Sequence, residues 1–173
     1  ASIAALINLV EDDKLNEVGR LDNAFSSSWL RGRSAKQYDE IAKKTRSTLQ
    51  NTFGANKSTA MWSSTKVYKD LLSPTGFKGA YVVSNARATN EFRKRKHLAY
   101  LRNIYMSPRL WQFYRAMRAV EPRHDDYALA ELLQWVFRSA IRDDKAIDLY
   151  LPSSRMRKLL KGWMSSGGAV SSS

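Results

Sequence analysis

The sequence contains no cysteine and only two histidines, His97 and His124. Without thiols, the chain cannot form a disulfide bond, a thiolate zinc site or a cysteine nucleophile. Two imidazoles are too few for an ordinary transition-metal site, so we expect no bound metal. The sequence also shows no sensible Ser-His-acid grouping and no carboxylate pair that stands out by its spacing. We therefore predict no catalytic residues.

Long apolar runs are also missing. No run approaches the roughly 20 residues that cross a bilayer, and the first ten residues lack the features of a secretory peptide. We expect no membrane partner and a cytoplasmic location. With 173 residues, of which 43% are hydrophobic, the chain is long enough for one domain with a buried core. We assign a single basic globular domain to residues 1–164 and a disordered Gly/Ser tail to residues 165–173.

Acidic residues are scarce in the central stretch 31–118. Nineteen of the 29 Lys and Arg residues lie there against four acidic residues, and the net charge of the chain is +13. Such a concentrated positive field attracts polyanions. Bases stack on aromatic and guanidinium planes, while phosphates pair with Lys and Arg. The aromatic residues interleaved with these cations are Tyr68, Phe77, Tyr81, Phe92, Tyr100, Tyr105, Trp111, Phe113 and Tyr114. We expect nucleic acid, DNA or RNA, as the partner, with about two thirds of these aromatics in the core.

The spacing of apolar and capping residues predicts alternating helices and strands. Predicted helices cover residues 1–20, 35–53 and 153–164 and also start near residues 66, 90, 108 and 125; predicted strands cover residues 58–64, 80–84 and 147–151. Strands that are each followed by a helix indicate an α/β fold with a small parallel sheet flanked by helices. A mainly α domain is the alternative, because the signal for the first strand is weak.

A phosphate-binding loop is not present in a recognisable form. Residues 54–59 include Gly, Lys, Ser and Thr, but their spacing differs from that of a P-loop, and they follow a helix rather than a strand. A glycine that ends the helix explains this segment better. Because the chain supplies neither a Walker lysine nor magnesium-binding acids, we expect no ATP turnover and no cofactor in the isolated chain.

Exposed cations of the central stretch are the predicted nucleic-acid-binding residues. They are Arg31, Arg33, Lys43, Lys44, Arg87, Arg93, Lys94, Arg95 and Lys96. The last four are consecutive, so they cannot all be buried in one helix.

A second predicted site lies on the helix that starts near residue 125. Its residues are Gln134, Arg138 and Arg142. Intervals of four place these side chains near one helix face, where two guanidiniums and an amide suit the phosphate of a nucleotide or of a nucleic-acid backbone. In the competing interpretation, Arg138 pairs with Glu131 or with the aspartates at positions 143 and 144.

Four segments carry a family resemblance. They read YVVSNARATNE (81–91), LAYL (98–101), YALAELLQWVFRSAIR (127–142) and LYLPSSRMR (149–157). They resemble the carboxy-terminal part of phage- and plasmid-borne helicase-like proteins of superfamily 2, whose second lobe is RecA-like. The resemblance implies that residues 84–90 form a strand-end loop that meets nucleic acid. It also implies that Gln134, Arg138 and Arg142 face ATP, which is expected here only if a partner lobe holds it.

The leading hypothesis is a nucleic-acid-binding domain of a helicase-type replication protein, which binds backbone phosphates without strong sequence preference. It would work with a partner lobe or as a homo-oligomer. The alternative is a viral coat or nucleoprotein located in the virion, because such proteins are also small, basic and free of cysteine. An independent hydrolase or nuclease has the least support, since acid-base machinery is missing.

Overall fold

The computed structural model describes residues 2–84, 91–118 and 123–167. The strands are β1 (Ile7–Leu9), β2 (Ala60–Ser64), β3 (His97–Leu101) and β4 (Ile147–Tyr150). The helices are α1 (Asp13–Asn16), α2 (Ser27–Arg31), α3 (Ala35–Ser47), α4 (Lys69–Leu72), α5 (Pro108–Arg118), α6 (His124–Val136) and α7 (Ser154–Ser165). Helix α3 continues into a π turn, Thr48–Thr52. Most of the predicted tail lies outside the described residues.

The four strands form one parallel sheet in the order β1-β4-β3-β2. Ile7 of β1 pairs with Ile147 of β4, and His97 of β3 pairs with Asp148 of β4. Parallel neighbours require long crossover connections, which the helices supply. The predicted α/β fold with a small parallel sheet is therefore confirmed.

Helices cover both faces of this sheet. Leu98 and Tyr100 of β3 belong to the core cluster that includes residues of α6 and α7. Ala99 and Leu101 belong to a second cluster, which includes residues of α3 and α4. A strand that is buried on both faces has a continuous apolar sequence instead of an alternating one.

Serine side chains begin three of the longer helices where the sequence predicts. The Ser34 hydroxyl accepts a hydrogen bond from the Gln37 backbone N–H (3.2 Å), and the Gln37 side chain accepts one from the Ser34 backbone N–H (2.8 Å). This capping box begins α3. Ser107 and Ser153 accept similar bonds at the starts of α5 and α7. Each bond satisfies a backbone donor that the helix leaves unpaired.

The predicted helix over residues 1–20 is wrong. A 3-10 turn, Ile3–Leu6, leads into β1, and α1 begins only after Asp12, whose carboxylate accepts from two backbone N–H groups. The apolar residues of this segment match a helical period, but pairing with β4 satisfies the backbone of residues 7–9 in another way. A three-residue strand is too short to show its own period.

The predicted strand over residues 80–84 and the predicted helix after Asn90 are also wrong. Tyr81 makes an isolated bridge to Trp62 and no longer ladder, while the strand beside β2 is β3. Leu98 and Leu101 are three residues apart, as in a helix, yet all five residues of β3 are buried. Burial on both faces explains this run of apolar residues.

Helix α6 ends earlier than predicted. Val136 is its last residue, and the Ser139 hydroxyl accepts a hydrogen bond from the Ile141 N–H to cap a 3-10 turn, Ala140–Asp143. Asp144 then adopts a left-handed conformation with φ 60°. The chain thus leaves α6 before Arg138 and Arg142, which do not share a helix with Gln134.

The loops after β1 and β4 are in direct contact. A Cβ atom at Gly19 would lie 2.0 Å from the carbonyl oxygen of Pro152. The connection after β1 leads to α3 on one face, whereas β4 leads to α7 on the other, and ligands of open α/β sheets commonly bind at such a reversal. At this reversal the backbone of Gly19 approaches the carbonyl of Pro152 directly.

Candidate nucleic-acid interface

A basic cleft of about 640 Å³ lies at the amino ends of β2, β3 and β4, and we call it the amino-end cleft. Its lining residues are Thr59, Glu91, Arg93, Lys94, Lys96, Ala140, Asp143 and Lys145. The carbonyl of Thr59 accepts from the Lys96 N–H (2.8 Å), and the carbonyl of Arg95 accepts from the Ala140 N–H (2.8 Å). These bonds hold residues 93–96 between the entries to β2 and β4.

Arg93 forms a two-pronged ion pair with Asp143 in the wall of the cleft. The Arg93 Nε and Nη2 atoms donate to the Asp143 carboxylate at 3.0 and 2.5 Å. These hydrogen bonds lower the pKa of Asp143 and raise the pKa of Arg93. Both groups are therefore charged at neutral pH, and the charge of Arg93 is largely balanced.

The other three cations of the run differ in their surroundings. Arg95 donates through Nη1 to the carbonyl oxygens of Ala60 (3.2 Å) and Lys57, so it fixes the start of β2. Lys94 and Lys96 are exposed. Within the described ranges, neither of them forms an ion pair. Two of the four predicted side chains are thus available to a ligand.

Sequence reasoning did not assign three charged residues of this cleft, Glu91, Asp143 and Lys145. Lys145 is exposed and lies two residues before β4. Because parallel neighbours begin at the same edge of a sheet, the entry to β4 had to lie beside the entry to its neighbour. The sequence does not reveal this adjacency, because the apolar spacing of residues 97–101 predicts a helix instead of β3.

A row of hydrogen-bonded polar side chains crosses three strands at this same end of the sheet. The Asn8 amide donates to one Asp148 carboxylate oxygen, and His97 Nδ1 lies at hydrogen-bond distance from the other, both at 2.8 Å. The Phe53 ring stacks on His97 at 5.8 Å between centroids. No sequence motif indicates this His-acid pair, because His97 and Asp148 lie 51 positions apart. The third side chain, Asn8, contributes an amide, so the geometry supports a polar tie between the neighbouring strands β1, β4 and β3.

Arg31 is the last residue of α2, and Arg33 follows the helix; neither lines the amino-end cleft. Arg31 is exposed. Arg33 donates through Nε to the Trp29 carbonyl (3.0 Å), and its guanidinium lies 4.4 Å from the centre of the Trp29 ring. Packing therefore accounts for the position of Arg33.

Lys43 and Lys44 lie on α3. Lys43 pairs with Asp39 at 2.8 Å, and this hydrogen bond raises the pKa of Lys43. The Lys44 ammonium donates to the Lys14 carbonyl (2.9 Å), so it connects α3 to α1. The predicted binding residue Arg87 lies outside the described residues.

Gln134, Arg138 and Arg142 are not brought onto one face. Gln134 is exposed on α6, and Arg142 is exposed in the following 3-10 turn. The Arg138 guanidinium donates to the carbonyls of Val83 (3.3 Å) and Ser84 (2.8 Å). Partial burial lowers the pKa of Arg138, and the nearby Glu131 carboxylate opposes that shift. Among the described residues Arg138 forms no salt bridge, so the competing ion-pair interpretation is wrong for Arg138. That these three residues face phosphate stays a prediction.

Two arginines converge on Ser84, the first residue of the predicted strand-end loop. Arg102, which follows β3, donates through Nη1 to the Ser84 hydroxyl, while Arg138 donates to its carbonyl. Nearby, the buried Ser63 Oγ, Tyr100 Oη and Arg102 Nε have no hydrogen-bond partner among the described residues. Ser63 and Tyr100 are paired in register on neighbouring strands. The residues after Ser84, up to position 90, lie outside the described part.

The described residues contain no cluster of three His, Asp or Glu side chains that could hold a metal ion. None of the described helices is long and apolar enough to cross a membrane.

Comparisons with known proteins agree with the architecture. A family model described as the YonV C-terminal Rossmann-like domain matches residues 1–164. The chain is 33% identical over 158 residues to the SPbeta prophage-derived uncharacterized protein YonV of Bacillus subtilis (strain 168). That alignment covers 91% of this chain but only 38% of the relative. No solved structure matches the chain.

These findings support a Rossmann-like fold and a likeness to a prophage-derived protein, but not specifically a lobe of a superfamily 2 helicase. They give no support to the viral coat alternative. With a parallel sheet covered by helices on both faces and a family match from residue 1 to residue 164, the chain belongs to the YonV C-terminal Rossmann-like domain family.

Proposed function

We propose that this domain binds nucleic acid through its phosphate backbone, without strong sequence preference. The supporting observation is the amino-end cleft, where the exposed lysines Lys94, Lys96 and Lys145 stand beside one balanced Arg93–Asp143 pair. Lysines supply point charges that attract phosphate, and contacts to phosphate carry no sequence information directly. The net charge of +13 strengthens the long-range attraction.

The finer assignment to the second lobe of a phage or plasmid helicase-type replication protein is part of this proposal. It is supported by the segment resemblance, by the Rossmann-like family description and by the prophage origin in the relative's name. The relative is much longer than this chain, so another part of a longer protein, or a partner lobe, would supply the ATP site. Arg138 and Ser84 would then lie at the lobe surface that meets it.

The test is a salt titration of binding to oligonucleotides of several unrelated sequences. The logarithm of affinity should fall linearly with the logarithm of salt concentration, by about 0.7 to 0.9 for each phosphate contact. The double change Lys94→Gln with Lys96→Gln should reduce this slope. The control is Lys36→Gln with Lys158→Gln, which removes the same charge from two exposed lysines outside the cleft.

Equal slopes in the two double variants would place the phosphate contacts outside the cleft. An affinity that is independent of salt concentration would overturn the proposal altogether. Changing all four residues from Arg93 to Lys96 would be a poorer test, because Arg93 and Arg95 also hold the fold together.

A further inference from the structure

Helix α5 is an amphipathic helix whose described side chains are exposed or partly exposed. None of its residues with described side chains is buried. Phe113 and Met117 are 57% and 70% exposed, and Trp111 and Tyr114 are partly exposed. Most amphipathic helices bury their apolar face against the core, so the large side chains of α5 require another explanation.

Aromatic residues elsewhere in the basic stretch are mostly buried or covered. Phe77 and Tyr100 are core residues, and Tyr68, Tyr81 and Phe92 pack against the core. Tyr105 is exposed in part, but the guanidinium of Arg155 lies 4.0 Å from its ring centre. The combination of aromatic and basic residues therefore reaches the surface chiefly on α5.

The charge of α5 is entirely positive. Its sequence, PRLWQFYRAMR, has three arginines and no acidic residue. The Arg115 guanidinium lies 5.1 Å from the centre of the Trp111 ring, and the Phe113 and Tyr114 rings meet edge to face at 5.8 Å. Nucleobases stack on aromatic rings and on guanidinium planes, and arginine also pairs with phosphate.

We propose that α5 is a stacking platform for the unpaired bases of a single-stranded nucleic acid. This inference rests on the proposed function and specifies its ligand. Bases in a duplex are already stacked on one another, whereas a single strand offers its base faces to side chains. A protein partner would also favour Trp, Tyr, Phe and Arg, but the all-positive charge of α5 complements phosphate rather than an average protein surface.

The position of α5 is compatible with the amino-end cleft. The Met106 N–H donates to His124 Nδ1 (3.0 Å), so α5 is attached where α6 begins. The Ala140 N–H bonds to the Arg95 carbonyl beyond the other end of α6, beside the cleft. The 13 residues of α6 span about 20 Å. Single-strand-binding folds bind about 4–16 nucleotides. One single strand in this range would contact both α5 and the amino-end cleft.

The test uses Phe113→Leu, which keeps an apolar side chain but removes the aromatic plane. Val67→Ala is the control, since Val67 is another exposed apolar residue, outside α5. Phe113→Leu should lower affinity for single-stranded DNA or RNA about 5- to 150-fold, as expected for the loss of one stacked base. Its affinity for duplex DNA, the salt slope and the melting temperature should stay near those of the unchanged protein.

Tryptophan fluorescence supplies a second readout. Trp111 is partly exposed, whereas Trp29, Trp62, Trp135 and Trp163 are all buried. Single-stranded oligonucleotide should therefore quench the Trp111 fraction of the emission, and duplex of the same sequence should not. Arg115→Lys, which keeps the charge but loses the planar group over Trp111, should weaken the single-strand preference.

Three outcomes would overturn the inference. Phe113→Leu with unchanged single-strand affinity, or with an equal loss for duplex, would exclude base stacking on α5. Self-association of the nucleic-acid-free protein that Phe113→Leu abolishes would make α5 a protein interface instead. In each case the salt-dependent binding at Lys94 and Lys96 is measured separately, so failure of the stacking inference is distinguishable from failure of the proposed function.

Discussion

At the scale of single residues, two buried tyrosines of the sheet differ in what their hydroxyl groups contact. The Tyr150 hydroxyl donates to the Leu15 carbonyl, whereas the Tyr100 hydroxyl has no partner within the described residues. Burial raises the pKa of both phenols, so both remain neutral donors. An unmade buried hydrogen bond costs stability, and a made one contributes about 1 kcal/mol.

We therefore expect opposite results from the same substitution. Tyr150→Phe should lower the free energy of unfolding by about 1 kcal/mol, because the Leu15 carbonyl loses its donor. Tyr100→Phe should leave the free energy unchanged or raise it. Urea unfolding of the two variants measures the difference. An equal loss in Tyr100→Phe would mean that a bound water or ligand accepts from that hydroxyl.

At the scale of elements, Arg155 joins the starts of α6 and α7 to the chain after β3. It is 6% exposed and donates to Asp125 on α6 (2.9 and 3.2 Å) and to Asn103 (2.7 Å) and the Ile104 carbonyl (2.6 Å) after β3. The sequence gives no hint of this role, because the partners lie 30 to 52 positions away.

Arg155→Met should lower the free energy of unfolding by about 2 to 3 kcal/mol, mainly because the Asn103 and Ile104 oxygens lose a buried donor. The control is Arg20→Met, whose exposed pair with Glu17 is worth less than about 1 kcal/mol. Chemical denaturation of both variants measures the two costs. Similar small losses would show that water replaces the guanidinium of Arg155.

The sequence predicts an element well when its signal lies within the element itself. It fails when a neighbouring strand determines the conformation. The capping box of α3 and the apolar run of β4 are each contained in one short window of the sequence. The signal of β2 is weaker, because its last two residues are serines. By contrast, β1 and β3 form because β4 lies beside them, which no short window contains. Short apolar runs do not distinguish a buried strand from a helix by period alone.

The candidate site was predictable to the same degree. A run of four cations indicates exposure in general, and Lys94 and Lys96 fulfil that expectation. Arg93 and Arg95 are held by Asp143 and by the Lys57 and Ala60 carbonyls, all 35 or more positions away in sequence. Which cations are free is therefore a property of tertiary structure.

At the scale of the whole molecule, we expect no ATP hydrolysis by this chain above background, with or without nucleic acid. Gly54 has a positive φ of 69° at the end of the α3 segment, and the Asn56 carboxamide accepts from the Ser58 and Thr59 N–H groups. These backbone donors are thus not arranged around a phosphate. Hydrolysis that survives repurification and disappears in Lys57→Ala would contradict this expectation.

The hydrogen bond between the Met106 N–H and His124 has a consequence for how the domain can vary. It places the residues before and after segment 107–123 side by side. A segment whose two ends lie side by side can be shortened, lengthened or replaced by a turn without changing the spacing of the strands. The sheet would then stay unchanged while segment 107–123 varies. Related proteins can diverge in this segment, and protein engineers can replace it with new recognition helices.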